Sequence, residues 1–498
     1  MSSLKNRFSS KLGSKLVSFF LGFITIGIVP RALGVDQYGN LNFLLNFFNK
    51  TTKFLTFGTL SAYYTKLSAK QNEKKIIGFY SYYIILLIAL VLMIIIGIKQ
   101  FGFKSIIWPD QQMKFVYAAA LFSILSLISN ITRQTSDALG LTVKNEFIFI
   151  IQSFLGVAIM LTLYYFKILD LESYFIYNYF LFIFVIFGGF IVINKKKVFQ
   201  ISTFVFPSKK IKIFLKEFYD YSHPIFFHGL ILFFITIFDR ILLQKYYGSV
   251  AQGYYGFALK LSSIIFLFSS SFGPLLLREF SINYKNKNHE ENERLFKRFL
   301  PLFLYISTFL SLIVYFNSEE ICVIVGGNEY IGASKVVSIM ALYPILQTYA
   351  QFNGSIFMGL ERTSIIRNIG FFTSLIGLVL MLALVTPIII EQVQIGAVGL
   401  ALKMVTVAMI SINIQIVVIS KILNISLFKL IFQEISIILG LFIFGYIAKY
   451  SSIFFSEVQW LRLFIWSIIF IFLSVASILK FPQIFGMAKS DVKKVISF

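Results

Sequence analysis

The sequence predicts an all-α integral membrane protein with about fourteen transmembrane helices, and three observations carry that prediction. The 498 residues are 58% hydrophobic and only 13% charged, with a mean hydropathy of +0.82. A water-soluble domain carries about 25% charged residues. Apolar runs near the spanning length of about 20 residues recur along the whole chain. Finally, Lys and Arg gather in alternate connections, the asymmetry that orients helices in a bilayer.

The runs fall near 14–33, 41–65, 76–98, 113–132, 145–166, 172–193, 222–243, 253–277, 299–316, 335–358, 368–388, 396–418, 429–448 and 460–479. The connections are short, and the longest, 194–221 and 278–298, are rich in Lys and Arg. With the N-terminus in the cytoplasm, KLSAKQNEKK, NKKK, PSKKIK, KNKNHEENERLFKR and AKSDVKK all lie on the cytoplasmic side. Both termini are therefore expected in the cytoplasm. The net charge of +23 then reflects membrane topology rather than contact with nucleic acid. The basic start MSSLKNRFSSKLGSK precedes no small-residue cleavage site, so the first run is read as a span.

Three histidines and one cysteine, Cys322, exclude an internal disulfide and argue against a Cys/His metal site. No metal and no cofactor is expected. Cys322 reads as a small apolar filler near a helix end. Pro274, Pro344 and Pro387 fall in or near span ends, where a missing N–H permits a bend.

An internal repeat organises the spans. The turn after the first reads RALGVDQYGNLNF, and the seventh and eighth join through KYYGSVAQGYYGFALKL. A shift of 214 places Gly34 on Gly248 and Gly39 on Gly253; Gly58 meets Gly273 with one gap. An even number of spans separates the copies, so two six-helix lobes related by an axis along the membrane normal are expected. The division is 1–220, 221–420 and a pair of extra helices with a tail at 421–498.

The stretch PRALGVDQYG resembles the signature of bacterial Wzx-type polysaccharide and O-antigen flippases, in the multidrug/oligosaccharidyl-lipid/polysaccharide exporter superfamily. FDRILLQKYYGSVAQGYYGFALKL, GGNEYIGASKVVSIMAL, FMGLERTSIIR and QIGAVGLALKMV resemble that family in the same order, across nearly the whole chain. The resemblance implies a non-enzymatic flippase in the bacterial cytoplasmic membrane. Its cargo would be an undecaprenyl-pyrophosphate-linked oligosaccharide, and its partners the bilayer, a polysaccharide polymerase and chain-length machinery.

The polar residues of the spans fit an anionic cargo. Asn42, Asn46, Asn49, Lys50, Lys53 and Thr56 share an arc of about 120° on the second span. Lys50 and Lys53 lie ten to thirteen residues from the external turn, about 15–20 Å at 1.5 Å per residue. A lysine at that depth costs about 2.5–3.5 kcal/mol unless it faces water or a partner. Lys260, which the repeat places on Asn46, and Lys403 extend the pattern to spans eight and twelve. Asp239 and Arg240 end span seven. Both are substrate-binding candidates, Asp239 by neutralising Lys260 or lining a cavity mouth, while the competing reading has Arg240 merely reach outward. Arg31, Arg278 and Arg367 are gating or entry candidates. Lysines would hold pyrophosphate while amides and hydroxyls meet sugars. The competing reading is helix–helix adhesion through buried pairs.

A multidrug exporter of the same superfamily would favour buried acids for cationic drugs, whereas the charges here are lysines. A membrane-embedded polymerase or ligase needs a large external loop with reactive residues; 99–112 and 317–334 are short and lack converging His, Asp and Glu.

Overall fold

The computed structural model describes residues 4–56, 58–69, 74–196, 198, 200–205, 208–270, 273–387, 395–455 and 459–485. The α-helices in chain order are α1 (Leu4–Leu55), α2 (Thr59–Ala69), α3 (Lys75–Gln100), α4 (Lys104–Ile107), α5 (Met113–Ala138), α6 (Thr142–Tyr165), α7 (Leu171–Asn194), α8 (Ile201–Phe204) and α9 (Ser208–Ser270). They continue as α10 (Gly273–Lys285), α11 (His289–Phe316), α12 (Ser318–Ile321), α13 (Ser334–Ala341), α14 (Tyr343–Gly359), α15 (Thr363–Leu384), α16 (Gly396–Ile422), α17 (Leu427–Phe455) and α18 (Gln459–Lys480).

Eleven helices among the described residues are long and apolar enough to cross a membrane. The expected windows 14–33 and 41–65 share α1 and α2, while 222–243 and 253–277 share α9 and α10, which are not among the eleven. Each remaining window overlaps one of the other spans. The chain is an all-helical, multi-pass membrane protein.

Local chemistry sets the helix ends. Asp170 caps α7 by accepting from the Ser173 amide at 2.8 Å, while the Ser173 hydroxyl accepts from the Asp170 amide at 2.8 Å. This reciprocal pair satisfies two otherwise orphaned donors. Asn288 caps α11 with a single bond, accepting from the Glu291 amide at 3.1 Å. Pro344 starts α14 rather than bending a continuous helix, because a first-turn proline gives up no helical bond.

Two long helices are broken at glycine. Gly34 in α1 has φ 68° and ψ 172°, and Gly248 in α9 has φ 69° and ψ −168°. A side chain rarely adopts that backbone. The matching conformations lie 214 residues apart, at the positions the sequence repeat superimposes. The copies match again downstream: α1 ends at Leu55 with α2 beginning at Thr59, and α9 ends at Ser270 with α10 beginning at Gly273. Expected span 41–65 is therefore not one continuous helix. Gly58, at φ 74°, turns the chain between α1 and α2.

By internal contacts the chain forms two compact units, Met1–Gly253 and Tyr254–Phe498. In the first unit, Tyr63 stacks on Tyr80 at 4.3 Å between ring centroids, and Phe214 and Phe218 close the cluster. In the second, Phe280, Phe296, Phe303 and Phe352 form one core. Another joins α17 and α18 to α11, where Phe309 stacks on Phe470 at 5.1 Å and the Trp466 indole donates to the Gly445 carbonyl. The spanning helices expose aromatics and aliphatics such as Phe187 and Leu439, a surface suited to hydrocarbon lipid chains.

Candidate functional site

The last turns of α1 split by polarity into two faces. Phe43, Leu44, Phe47, Phe48 and Leu55 are buried in the first unit, with Phe48 stacked on Trp108 at 5.9 Å. Thr51 and Thr52 return their hydroxyls to the Phe47 and Phe48 carbonyls, so their polarity is satisfied within the helix. The opposite face carries half-buried Asn42, Asn46 and Lys50 and exposed Asn49 and Lys53. Asn42 donates to the Tyr38 carbonyl at 2.7 Å. The buried Asn46 Oδ1 has no hydrogen-bond partner.

Lys50 and Lys53 face a cavity of 430 Å³. Thr56 and Ser61 add hydroxyls, and Phe233 and Thr236 of α9 form the opposing wall. Phe54 stacks on Phe233 at 4.2 Å, an apolar clamp at the edge. Neither Lys50 nor Lys53 has a hydrogen bond or ion pair among the described residues, and Lys50 also feels the charges of Arg240 and Asp239. Two ammonium groups repelling each other at three-residue spacing, with hydroxyls nearby, make an anion site that can also donate to and accept from hydroxyl groups.

The other expected residues distribute unevenly. Asp239 is buried in the first unit. Arg240 is buried too, which disfavours the outward-reaching alternative. Its guanidinium donates to Gln252 Oε1 at 2.8 Å, and Gln252 Nε2 donates back to the Arg240 carbonyl at 2.6 Å. Gln252 thus holds both ends of Arg240 across the Gly248 break and gives the buried guanidinium an acceptor, without which burial would be costly. In the second unit Lys260 is exposed beside exposed Ser263, repeating the α1 arrangement. Lys403 departs from the expected stripe. It is only 4% exposed and packs against Gly377 of α15, where the missing side chain leaves space for its stem. Arg31, Arg278 and Arg367 are exposed; Arg278 pairs with Glu279 at 2.9 Å, and Arg367 donates to Asn368 at 3.3 Å.

The polar contacts around the glycine turns were not found by sequence reasoning. Asn40 Oδ1 accepts from Gln111 at 2.6 Å and from the Ser249 hydroxyl at 2.7 Å, and Gln244 donates to that hydroxyl at 3.1 Å. The turns touch through backbone. A β-carbon on Gly39 would lie 1.8 Å from the Ser249 oxygen, and one on Gly253 would lie 2.3 Å from the Val35 oxygen. A shift of 214 converts the first contact into the second. Glutamines and serines flanking paired glycines are the only sequence signal for this network.

Comparison with known proteins follows the same architecture. The polysaccharide biosynthesis protein family matches residues 3–275, and the MatE family matches residues 224–383. Among solved structures, the lipid II flippase MurJ in an inward closed conformation aligns with TM-score 0.65 at 15% identity, covering 95% of this chain and 98% of that one. An inward-facing multidrug resistance MATE family transporter of the MOP superfamily aligns with TM-score 0.57 at 12% identity, covering 85% and 100%. An outward-facing MATE family transporter gives TM-score 0.51 at 13% identity, covering 83% and 94%. A search of curated proteins finds no match. The family match spans more than half of the chain and the fold agrees over nearly all of it: the protein belongs to the polysaccharide biosynthesis protein family.

Proposed function

We propose that the protein is a flippase for an undecaprenyl-pyrophosphate-linked oligosaccharide, an O-antigen or capsule repeat unit, moved from the inner to the outer leaflet of the cytoplasmic membrane. One observation carries the reading: Lys50 and Lys53, without a hydrogen bond or ion pair among the described residues, face a 430 Å³ cavity within a chain otherwise suited to hydrocarbon. The solved lipid II flippase supports the substrate class, since its name states a lipid-linked cargo.

The mechanism is alternating access. The pyrophosphate meets the ammonium groups of Lys50 and Lys53, and the first sugars meet the hydroxyls of Thr56, Ser61 and Thr236. Lys260 supplies a matching cation on the second unit. The polyprenyl tail stays in lipid while the headgroup crosses, so the protein replaces water for charges and hydroxyls that hydrocarbon would strand. No bond is made or broken. With both termini in the cytoplasm, an inside-negative potential favours export of negative charge by about 2.3 kcal/mol per charge per 100 mV. Arg31 receives the cargo on the far side, and Arg278 and Arg367 act at entry. Released repeat units then pass to a polymerase and its chain-length partner.

The test is flipping of a fluorescent polyprenyl-pyrophosphate oligosaccharide in proteoliposomes. Lys50→Gln and Lys53→Gln are each expected to lower the rate at least tenfold, the equivalent of about 1.4 kcal/mol, with normal insertion and melting. Unchanged flipping in both variants removes the site from transport. Transport of an organic cation instead would assign the drug-exporter branch.

A further inference from the structure

We propose that α8 and the first turns of α9 form a docking surface for the anionic headgroups of the bilayer leaflet they face. The surface is independent of the cargo site. Residues 208–221 of α9 are helical but too charged to span a membrane, and their two sides differ. Phe214 and Phe218 are buried, packing against Phe79 at 5.4 Å each, and Phe218 stacks on Tyr80 at 5.9 Å. Glu217 on this packed side binds Lys66 at 3.0 Å.

Ile211, Leu215 and Tyr219 are bare, at 38%, 56% and 67% exposure. Spaced four apart, they line one stripe of the helix. Exposed Lys212 and Lys216 run beside that stripe, about 100° further round. Exposed Lys195 and Lys196 follow α7, and bare Val205 follows α8. Asp220 is the acid that faces out among them.

The depth of this stripe argues for lipid. Phe79 and Tyr80 lie in the opening turns of α3, a membrane-crossing helix that begins at Lys75. Tyr82 donates to the Phe204 carbonyl at 3.2 Å, which fixes α8 at the same level. The bare stripe therefore sits near the end of a span, where headgroups meet acyl chains. An apolar stripe flanked by lysines is the pattern of a helix lying in that plane, with each nearby lysine drawn to anionic lipid. Orienting the chain requires only the charge. It does not account for the exposure of an isoleucine, a leucine and a tyrosine on one stripe.

The full chain carrying Leu215→Cys, labelled with an environment-sensitive fluorophore, tests this in nanodiscs. Cys322 is buried and the parent chain reports any background labelling. Brominated phosphatidylglycerol is expected to quench the probe several-fold more than brominated phosphatidylcholine at low salt. Replacing Lys195, Lys196, Lys212 and Lys216 by Gln is expected to bring the two lipids to parity while melting stays unchanged. Absence of quenching by both lipids would place the stripe against something other than the bilayer and end the proposal. Equal quenching in the unsubstituted background would overturn the anionic preference.

Discussion

A β-carbon built on Gly39 would lie 2.9 Å from the Gly253 amide nitrogen, and neither glycine has room for one. The two helices meet backbone to backbone, each copy of the repeat pressing on the other's preceding turn.

Gly39→Ala and Gly253→Ala should each destabilise the protein by about 1–3 kcal/mol, because main chain rather than a flexible side chain must give way. The double variant should cost less than the sum, since one displaced contact serves both. Melting in detergent measures all three. Additive costs would mean that the two contacts are energetically separate.

Glu146 accepts from Arg133 at 2.8 and 2.9 Å and is fully buried, while Arg133 also stacks on Phe149 at 4.4 Å. Glu146→Gln is expected to cost about 3 kcal/mol by leaving a guanidinium without its counter-charge. Glu172 pairs with Lys114 in the open, and Glu172→Gln should cost under about 1 kcal/mol. Comparable losses in the two variants would contradict the burial argument.

Hydrogen bonds from Ser173 hold the Asp170 carboxyl below the usual carboxylate range. A depressed folded value adds stability above the unfolded value of about 3.9, and this is lost as pH falls through the folded value. Asp170→Ala should therefore cost about 1 kcal/mol at neutral pH, with the difference shrinking in acid. A gap that widened on acidification would reverse the sign of this assignment.

Burial pushes the Cys322 thiol up to about 12, with the Glu319 charge adding to the effect. Thiolate is the reactive form. Maleimide at neutral pH should leave the folded protein unlabelled and modify it on unfolding. Rapid labelling of the native protein would show that this segment opens.

Much of this molecule is legible in its sequence because bilayer physics is coarse. Ten of the apolar runs each overlap one described span, and the spaced glycines mark two helix breaks of matching conformation. Of the polar arc on α1, Lys50, Lys53 and Thr56 line the cavity, while Phe48, outside the arc, faces the core. Periodicity identifies a polar face but not what that face meets. Lys403 shares the pattern of Lys50, yet Gly377 on a neighbouring helix gives it a slot. Arg240 looks like an outward anchor until Gln252, twelve residues later, folds back across the break to satisfy it. Such pairings depend on side chains brought together from separate turns, and no local pattern announces them.

Lys50 and Lys53, with no partner among the described residues, have a consequence for the resting protein. Under the proposed function such a site is an ion exchanger: small anions are expected to occupy it between cycles, and each cargo to displace them. Free pyrophosphate, offering the same chemistry without a tail, should then compete, and turnover should slow as ionic strength rises.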